Sequence, residues 1–347
     1  MNKNWLHHII KAMTFTMITL LVFGCAMFPV MGQSNNQSGQ NINIEAVEFS
    51  PPDEPPIVGN IVPGDSLAEK LAWLERSADS HNTYILEASS DENISPQTFE
   101  YKGAINITIA LRGDDVNRTI KLKSNGTMFT VKSNVIFILD NNITLHGHDK
   151  NSGSMVVVDG GTFKMRTGST ITGNNTSRNG GGVFLQGYFN DGGTKFEMTG
   201  GTIRDNTARE GGGVYAGGGK APFIMMGGII SGNTADTGGG VYASNDGGSF
   251  TMRGGTITGN TAREYGGGVF GGDGALTLVK GGGIITGFNS EQSNGNVVKD
   301  QFGNVLARRG HAVYVSADLR KETTAGPKEN LSSDWLSKVR VSGAWDR

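Results

Sequence analysis

Cysteine is all but missing: Cys25 is the only one in 347 residues. An intramolecular disulfide is therefore excluded. No sign of charge dominates, with 30 Lys plus Arg against 32 Asp plus Glu. The basic residues form no long run, so the electrostatic footprint of a nucleic-acid partner is absent. The leucine framework of a leucine-rich repeat is also missing, which excludes that architecture despite a repeated Asn. Glycine, by contrast, is abundant at 54 residues, without the every-third spacing of collagen.

The N-terminus carries Lys3 and Lys11 and then a mostly apolar stretch from Ala12 to Phe23, the layout of an export signal. That stretch ends in Val22-Phe-Gly-Cys25, which resembles the lipobox of bacterial lipoproteins, with bulky Phe23 as a departure. The resemblance implies a signal peptide over 1–25, a lipid on Cys25 and the membrane as partner through that lipid. Ordinary cleavage near Gly32 and an uncleaved anchor are the alternatives. Residues 26–60, rich in Gln, Asn, Ser and Pro, are too polar and proline-broken to pack and read as a disordered tether. Residues 61–82 hold a helix, with Ser66 and Glu69 spaced as a capping box and Leu67, Leu71 and Leu74 on one face. The helix is expected to cap the N-terminal end of a stacked β region.

From Thr83 the pattern turns to short β-rich runs, of which Ile105 to Leu111 is the longest. Near Met155 a regular repeat emerges. Phe-x-Met recurs at Phe163/Met165, Phe196/Met198, Phe223/Met225 and Phe250/Met252, and continues as Leu276/Leu278. An Ile element comes next at Ile171, Ile203, Ile230, Ile257 and Ile285, then an Asn at Asn174, Asn206, Asn233, Asn260 and, one residue later in its repeat, Asn289. Gly-Gly-Val-aromatic closes each unit, with Val183, Val214, Val241 and Val269, and Gly310-His-Ala-Val-Tyr314 as a late copy.

Three short strands in a unit of about 27 residues meet the needs of a parallel β-helix, whose turns stack at ~4.8 Å. Strand alternation points the Phe, Met, Ile and Val series inward. The expected fold is all-β: a right-handed parallel β-helix over 83–318, with a short N-terminal capping helix and a C-terminal cap over 319–347 that includes Trp335 and Trp345. Asn296 to Leu306 reads as a projecting hairpin.

The Gly-Gly-x-Ile-x-x-Asn and Gly-Gly-Gly-Val-Tyr motifs, over roughly 155–315, resemble the repeats of chlamydial polymorphic outer-membrane proteins and of Gly-rich spirochaete surface lipoproteins. Both are similar to β-helices of the pectin-lyase-like class. The resemblance implies surface location, and adhesion or display rather than an assigned chemistry. About 33 residues come after Tyr314, too few for an outer-membrane barrel, so any anchor is expected at Cys25.

Among the repeated polar residues, Asn174, Asn206, Asn233 and Asn260 read as a structural ladder, since Asn tolerates left-handed corners and stacked amides bond from turn to turn. The Asp-Gly pairs lack the tandem spacing of a calcium β-roll, and no metal or cofactor is expected. Parity turns the aromatic series Phe184, Tyr215, Tyr242, Phe270 and Tyr314 outward, which predicts an exposed strip able to stack on sugar rings or a partner protein. Arg209-Glu210 and Arg263-Glu264 read as solvated charge pairs at a corner. Asp114 with Asp115, or His146 with His148 and Asp149, are the residues from which a catalytic site would have to be built.

The sequence thus reads as an exported, lipid-anchored β-helix of the outer membrane or cell surface, binding a glycan or a host or neighbour-cell protein without catalysis. The alternative is a polysaccharide lyase or glycoside hydrolase of the pectin-lyase-like fold. Carboxylates converging on adjacent turns would favour it.

Overall fold

The structure, a computed structural model, describes residues 54–187, 193–219, 221–272, 275, 277–288, 294–307, 309–316, 320–323 and 326–330. Cys25, Leu276, Asn289, Trp335 and Trp345 lie outside them, as does the export signal.

Three parallel sheets wind the chain into a β-solenoid of about eight turns. The first sheet is built on the Phe-x-Met elements and has nine strands, from Asn60–Ile61 and Thr83–Ala88 to Ser249–Met252 and Thr277–Lys280. The second runs along the Ile elements through eight strands, from Glu92–Ile94 to Ile284–Ile285. The third, also of eight strands, runs from Gln97–Phe99 through Val183–Leu185, Val214–Ala216, Val241–Ala243 and Val269–Gly271 to Val313–Val315. Like pairs with like: Phe196 with Phe223 and then Phe250, Ile203 with Ile230 and then Ile257.

That register holds the core together. Phe137, Phe163, Phe196, Phe223 and Phe250 form one buried column with ring centroids 5.5, 5.0, 4.7 and 5.0 Å apart. These separations lie at or slightly above the ~4.7–4.9 Å spacing of paired strands, so each ring rests on its copy one turn away. Turns are closed at the Gly-Gly-Gly corners. Gly211 has φ +63°, and a Cβ on Gly212 would sit 2.5 Å from the carbonyl oxygen of Gly239. The backbones of successive corners touch, and no side chain fits between them.

The structure departs from the expected organisation at several points. A fourth parallel stack, Thr234–Thr237, Thr261–Tyr265 and Val297–Val298, comes after the Asn corner. Its short Thr-Ala core carries almost no strand signal of its own. At the end of the first sheet Leu278 pairs with Phe250 and Lys280 with Met252, so the Phe position is filled by Leu278, two residues later than the Leu276/Leu278 alignment placed it. Asn296 to Val298 is a rung of the stack; only the segment from Lys299 to Val305 projects, with Phe302 at its tip 79% exposed.

The tether also ends earlier than expected. Arg166 holds Glu54 by its carboxylate at 2.5 Å and the Pro55 carbonyl at 2.6 Å, and Asn60–Ile61 pairs in parallel with Tyr84–Ile85. An ion pair and a strand edge thus order a segment whose composition alone would not pack. The helix spans Leu67–Ser77 with the Ser66/Glu69 capping box formed. It lies on the first turn: Lys70 Nζ donates to the Glu87 carbonyl at 2.7 Å, and the Leu67 amide donates to the Glu92 carboxylate. Beyond the last turn, Arg320–Thr323 and Gly326–Asn330 pair antiparallel.

Candidate functional site

The outward series of the third sheet forms a continuous ladder. Phe184, Tyr215, Tyr242, Phe270 and Tyr314 stand in register, with centroid separations of 5.1, 5.1, 4.8 and 5.5 Å and interplanar angles of 14, 7, 17 and 5°. It is not the exposed strip that parity predicts. Tyr242 is 7% and Phe270 8% exposed, while the other three are partly buried. Parity sets the direction of each ring, but neighbouring rings then cover one another's faces. Burial pushes the phenols of Tyr242 and Tyr215 above the ordinary tyrosine range, and for Tyr215 a 3.1 Å hydrogen bond to Ser244 Oγ partly opposes this.

The two ends of the ladder differ. At the C-terminal end Tyr265 packs on Tyr314 at 4.4 Å, with the Arg309 guanidinium 4.6 Å from the Tyr265 ring centre. At the N-terminal end the ladder simply stops, because the residues in register beyond Phe184 are Val157 and then Thr130. The missing ring leaves a cleft of about 390 Å³, lined by Phe184 and Val157, by Arg178 and Arg209, and by hydroxyl and amide groups including Ser152 and Asn179.

The corner stacking brings the two arginines together, since the Arg209 amide donates to the Arg178 carbonyl one turn away at 2.8 Å. Asn179 orients the second: its Oδ1 accepts from Arg209 Nε at 3.2 Å, and its Nδ2 donates to Glu210 at 2.7 Å. Arg209 and Glu210 themselves are 3.9 Å apart, whereas Arg263 pairs with Asp236 at 2.8 Å and not with Glu264. Both cleft arginines are exposed. Sequence reasoning missed Arg178, Asn179 and the cleft, because Ser177-Arg178-Asn179 has no counterpart in the other repeats. The one available signal was the end of the aromatic series between Phe184 and Val157.

The Asn ladder is buried and reaches further than its sequence spacing. Asn206 N–H, Asn233 N–H and Asn260 N–H donate to the Oδ1 atoms of Asn233, Asn260 and Asn296 at 3.0, 3.0 and 2.9 Å. Asn151 extends it at the other end, giving its Nδ2 to Asn174 Oδ1 at 2.9 Å. Asn296 fills the rung for which Asn289 was expected. The left-handed residues are the preceding ones, Gly173, Asp205, Gly232 and Gly259, with φ of 71, 55, 65 and 63°. The amides are thus chosen for their hydrogen bonds and not for backbone tolerance.

Carboxylates on the first sheet, at its corner and at the end of a third-sheet strand are held by basic partners: Glu87 by Arg112, Asp140 by Arg166, Asp159 by Lys132 and Glu197 by Lys164 and Lys195. Burial pushes the Asp140 carboxyl up. Burial acts the same way on Glu197, but Lys195 and Lys164 outweigh it and hold that carboxyl low. Asp114 pairs with Arg118, which holds it low. His146 Nδ1 lies 3.1 Å from the Gly147 carbonyl and His148 Nδ1 accepts from the Lys150 amide, so each imidazole engages local backbone. Among the described residues, no three His, Cys, Asp or Glu side chains gather to hold a metal. No described helix is long and apolar enough to cross a membrane.

Comparison with known protein families, with curated proteins and with solved structures finds no match to this chain. What the fold defines is a parallel β-solenoid; the likeness to surface-protein repeats rests on the short motifs alone.

Proposed function

We propose that this is a non-catalytic adhesion protein of a bacterial surface, exported by its N-terminal signal and held to a membrane by a lipid on Cys25. The observation that carries the reading is the cleft at the open end of the aromatic ladder, where a ring, two guanidiniums and several hydroxyls face solvent from a rigid stack. Such a concave, mixed site on fixed elements suits binding. The five ladder aromatics contribute mainly as its foundation, with Phe184 as the ring that meets the ligand. The pairing of Glu87, Asp140, Asp159 and Glu197 with basic side chains weighs against the polysaccharide lyase or hydrolase reading, which needs carboxylates converging on a substrate.

Cells carrying and lacking the protein, tested on immobilised glycans and matrix proteins, check the reading. Expected are adhesion that depends on the protein, its loss from intact cells on surface proteolysis, and a lipid on the mature N-terminus by mass spectrometry. Equal adhesion of both strains, with the protein protected from protease, overturns it.

A further inference from the structure

We propose that the cleft binds an anionic saccharide, with a sugar ring lying on Phe184 in the place of the absent next ladder ring and its carboxylate or sulfate meeting Arg178 and Arg209. The inference rests on the proposed binding role and specifies its ligand.

Three observations converge on this chemistry. First, the ladder advances about one ring for every strand, and the next rung beyond Phe184 carries Val157, so the cleft has an apolar slot where Phe184 and Val157 line it side by side. The C–H face of a pyranose fits such a slot, as aromatic side chains offer a flat apolar body with a wet edge. Second, two guanidiniums flank the slot from adjacent turns, and Asn179 fixes the direction of one of them. Planar guanidiniums match the paired oxygens of carboxylate or sulfate, and the cleft lining includes no acidic side chain. Glu210, beside Arg209, partly offsets that charge; Arg178 has no carboxylate partner among the described residues.

Third, the remaining lining offers the hydroxyls of Ser152 and Ser177, free among the described residues, beside a single aromatic ring. A ligand rich in hydroxyls satisfies those groups, whereas an aromatic acid or an apolar peptide side chain would leave them dry and unpaired. A volume of about 390 Å³ places the cleft at the small end of ligand sites, the scale of a few sugar units.

Calorimetric titration of the protein with three short oligosaccharides of one backbone tests this: one bearing uronate carboxylates, one sulfated, and one neutral with its carboxyls reduced. Either anionic form should bind, and the neutral form should bind roughly tenfold more weakly or not at all. Arg178→Gln and Arg209→Gln should each weaken the anionic ligand about tenfold and reduce its salt dependence, with melting temperatures unchanged because both side chains are exposed. Phe184→Val, which copies the residue already present at Val157 in the same row, should fold and lose binding. Thr256→Val, on the second sheet, should bind as wild type. The carboxylate and sulfate arms separate the two sources of negative charge.

Equal affinity for the neutral oligosaccharide, or wild-type affinity in Arg178→Gln and Arg209→Gln together, overturns the anionic assignment. Failure of all three sugars, with adhesion to a matrix protein still lost in Phe184→Val, overturns the saccharide and leaves the adhesion role standing. Loss of neither binding nor adhesion in any variant removes both.

Discussion

Asn233 shows how much one buried amide does in this fold. Its Oδ1 takes both the backbone N–H and the Nδ2 of Asn206, and its own N–H and Nδ2 go to Asn260 Oδ1. Its Nδ2 also reaches the Ile203 carbonyl at 3.0 Å. Asn233→Ala leaves the Asn206 amide buried without its acceptor, and an orphaned buried group costs about 1–3 kcal/mol. Asn206 Nδ2 loses the same acceptor and the Ile203 carbonyl loses its donor, so the expected destabilisation is about 2–4 kcal/mol. Asn233→Asp should cost at least as much, since it brings a charge into the stack. Urea unfolding of the two variants checks this, and an unchanged midpoint for Asn233→Ala contradicts it. The ladder's period was legible in the sequence. Its two outer members were not, since Asn296 stands 36 residues beyond Asn260 and Asn151 stands in a turn with little repeat signature.

The third sheet carries a different lesson, at the level of the strand. Alternation placed Tyr215 and Tyr242 on the outer side of their strands, and they are there. It could not show that identical rings at strand spacing shield each other, because that depends on side-chain orientation across turns. The burial has a measurable consequence at high pH. In the unfolded chain the two phenols release their protons near pH 10, while in the folded ladder desolvation holds the protons to higher pH. Above about pH 10 the unfolded state therefore binds fewer protons than the folded one, and stability falls as pH rises. The contribution is fully present below that range. Tyr242→Phe, which keeps the ring and removes the proton, should flatten this alkaline loss while leaving stability at pH 7 nearly unchanged. Urea titrations at pH 7 and above pH 10 read it, and identical slopes for wild type and variant contradict it.

Across the whole solenoid each turn contacts mainly the turns on either side, so stability is a sum of neighbour terms. Removing Phe223 to Ser249 takes out 27 residues, the interval that separates Asn206 from Asn233 and Asn233 from Asn260. The cut joins Pro222 to Phe250. Phe196 then meets Phe250, Ile203 meets Ile257 and Asn206 meets Asn260, each a copy of the partner it lost, while Tyr215 meets Phe270, a ring in place of Tyr242. The shortened chain should fold with an unchanged β spectrum and a single transition, its melting temperature lowered by only a few degrees. Its cleft lies on the turns from Thr127 to Arg209, so sugar binding should persist. Removing Phe223 to Ala235 instead breaks every register above the cut, and that chain should not fold cooperatively. If both deletions unfold alike, the turns are not interchangeable units and the neighbour-by-neighbour account of the fold fails.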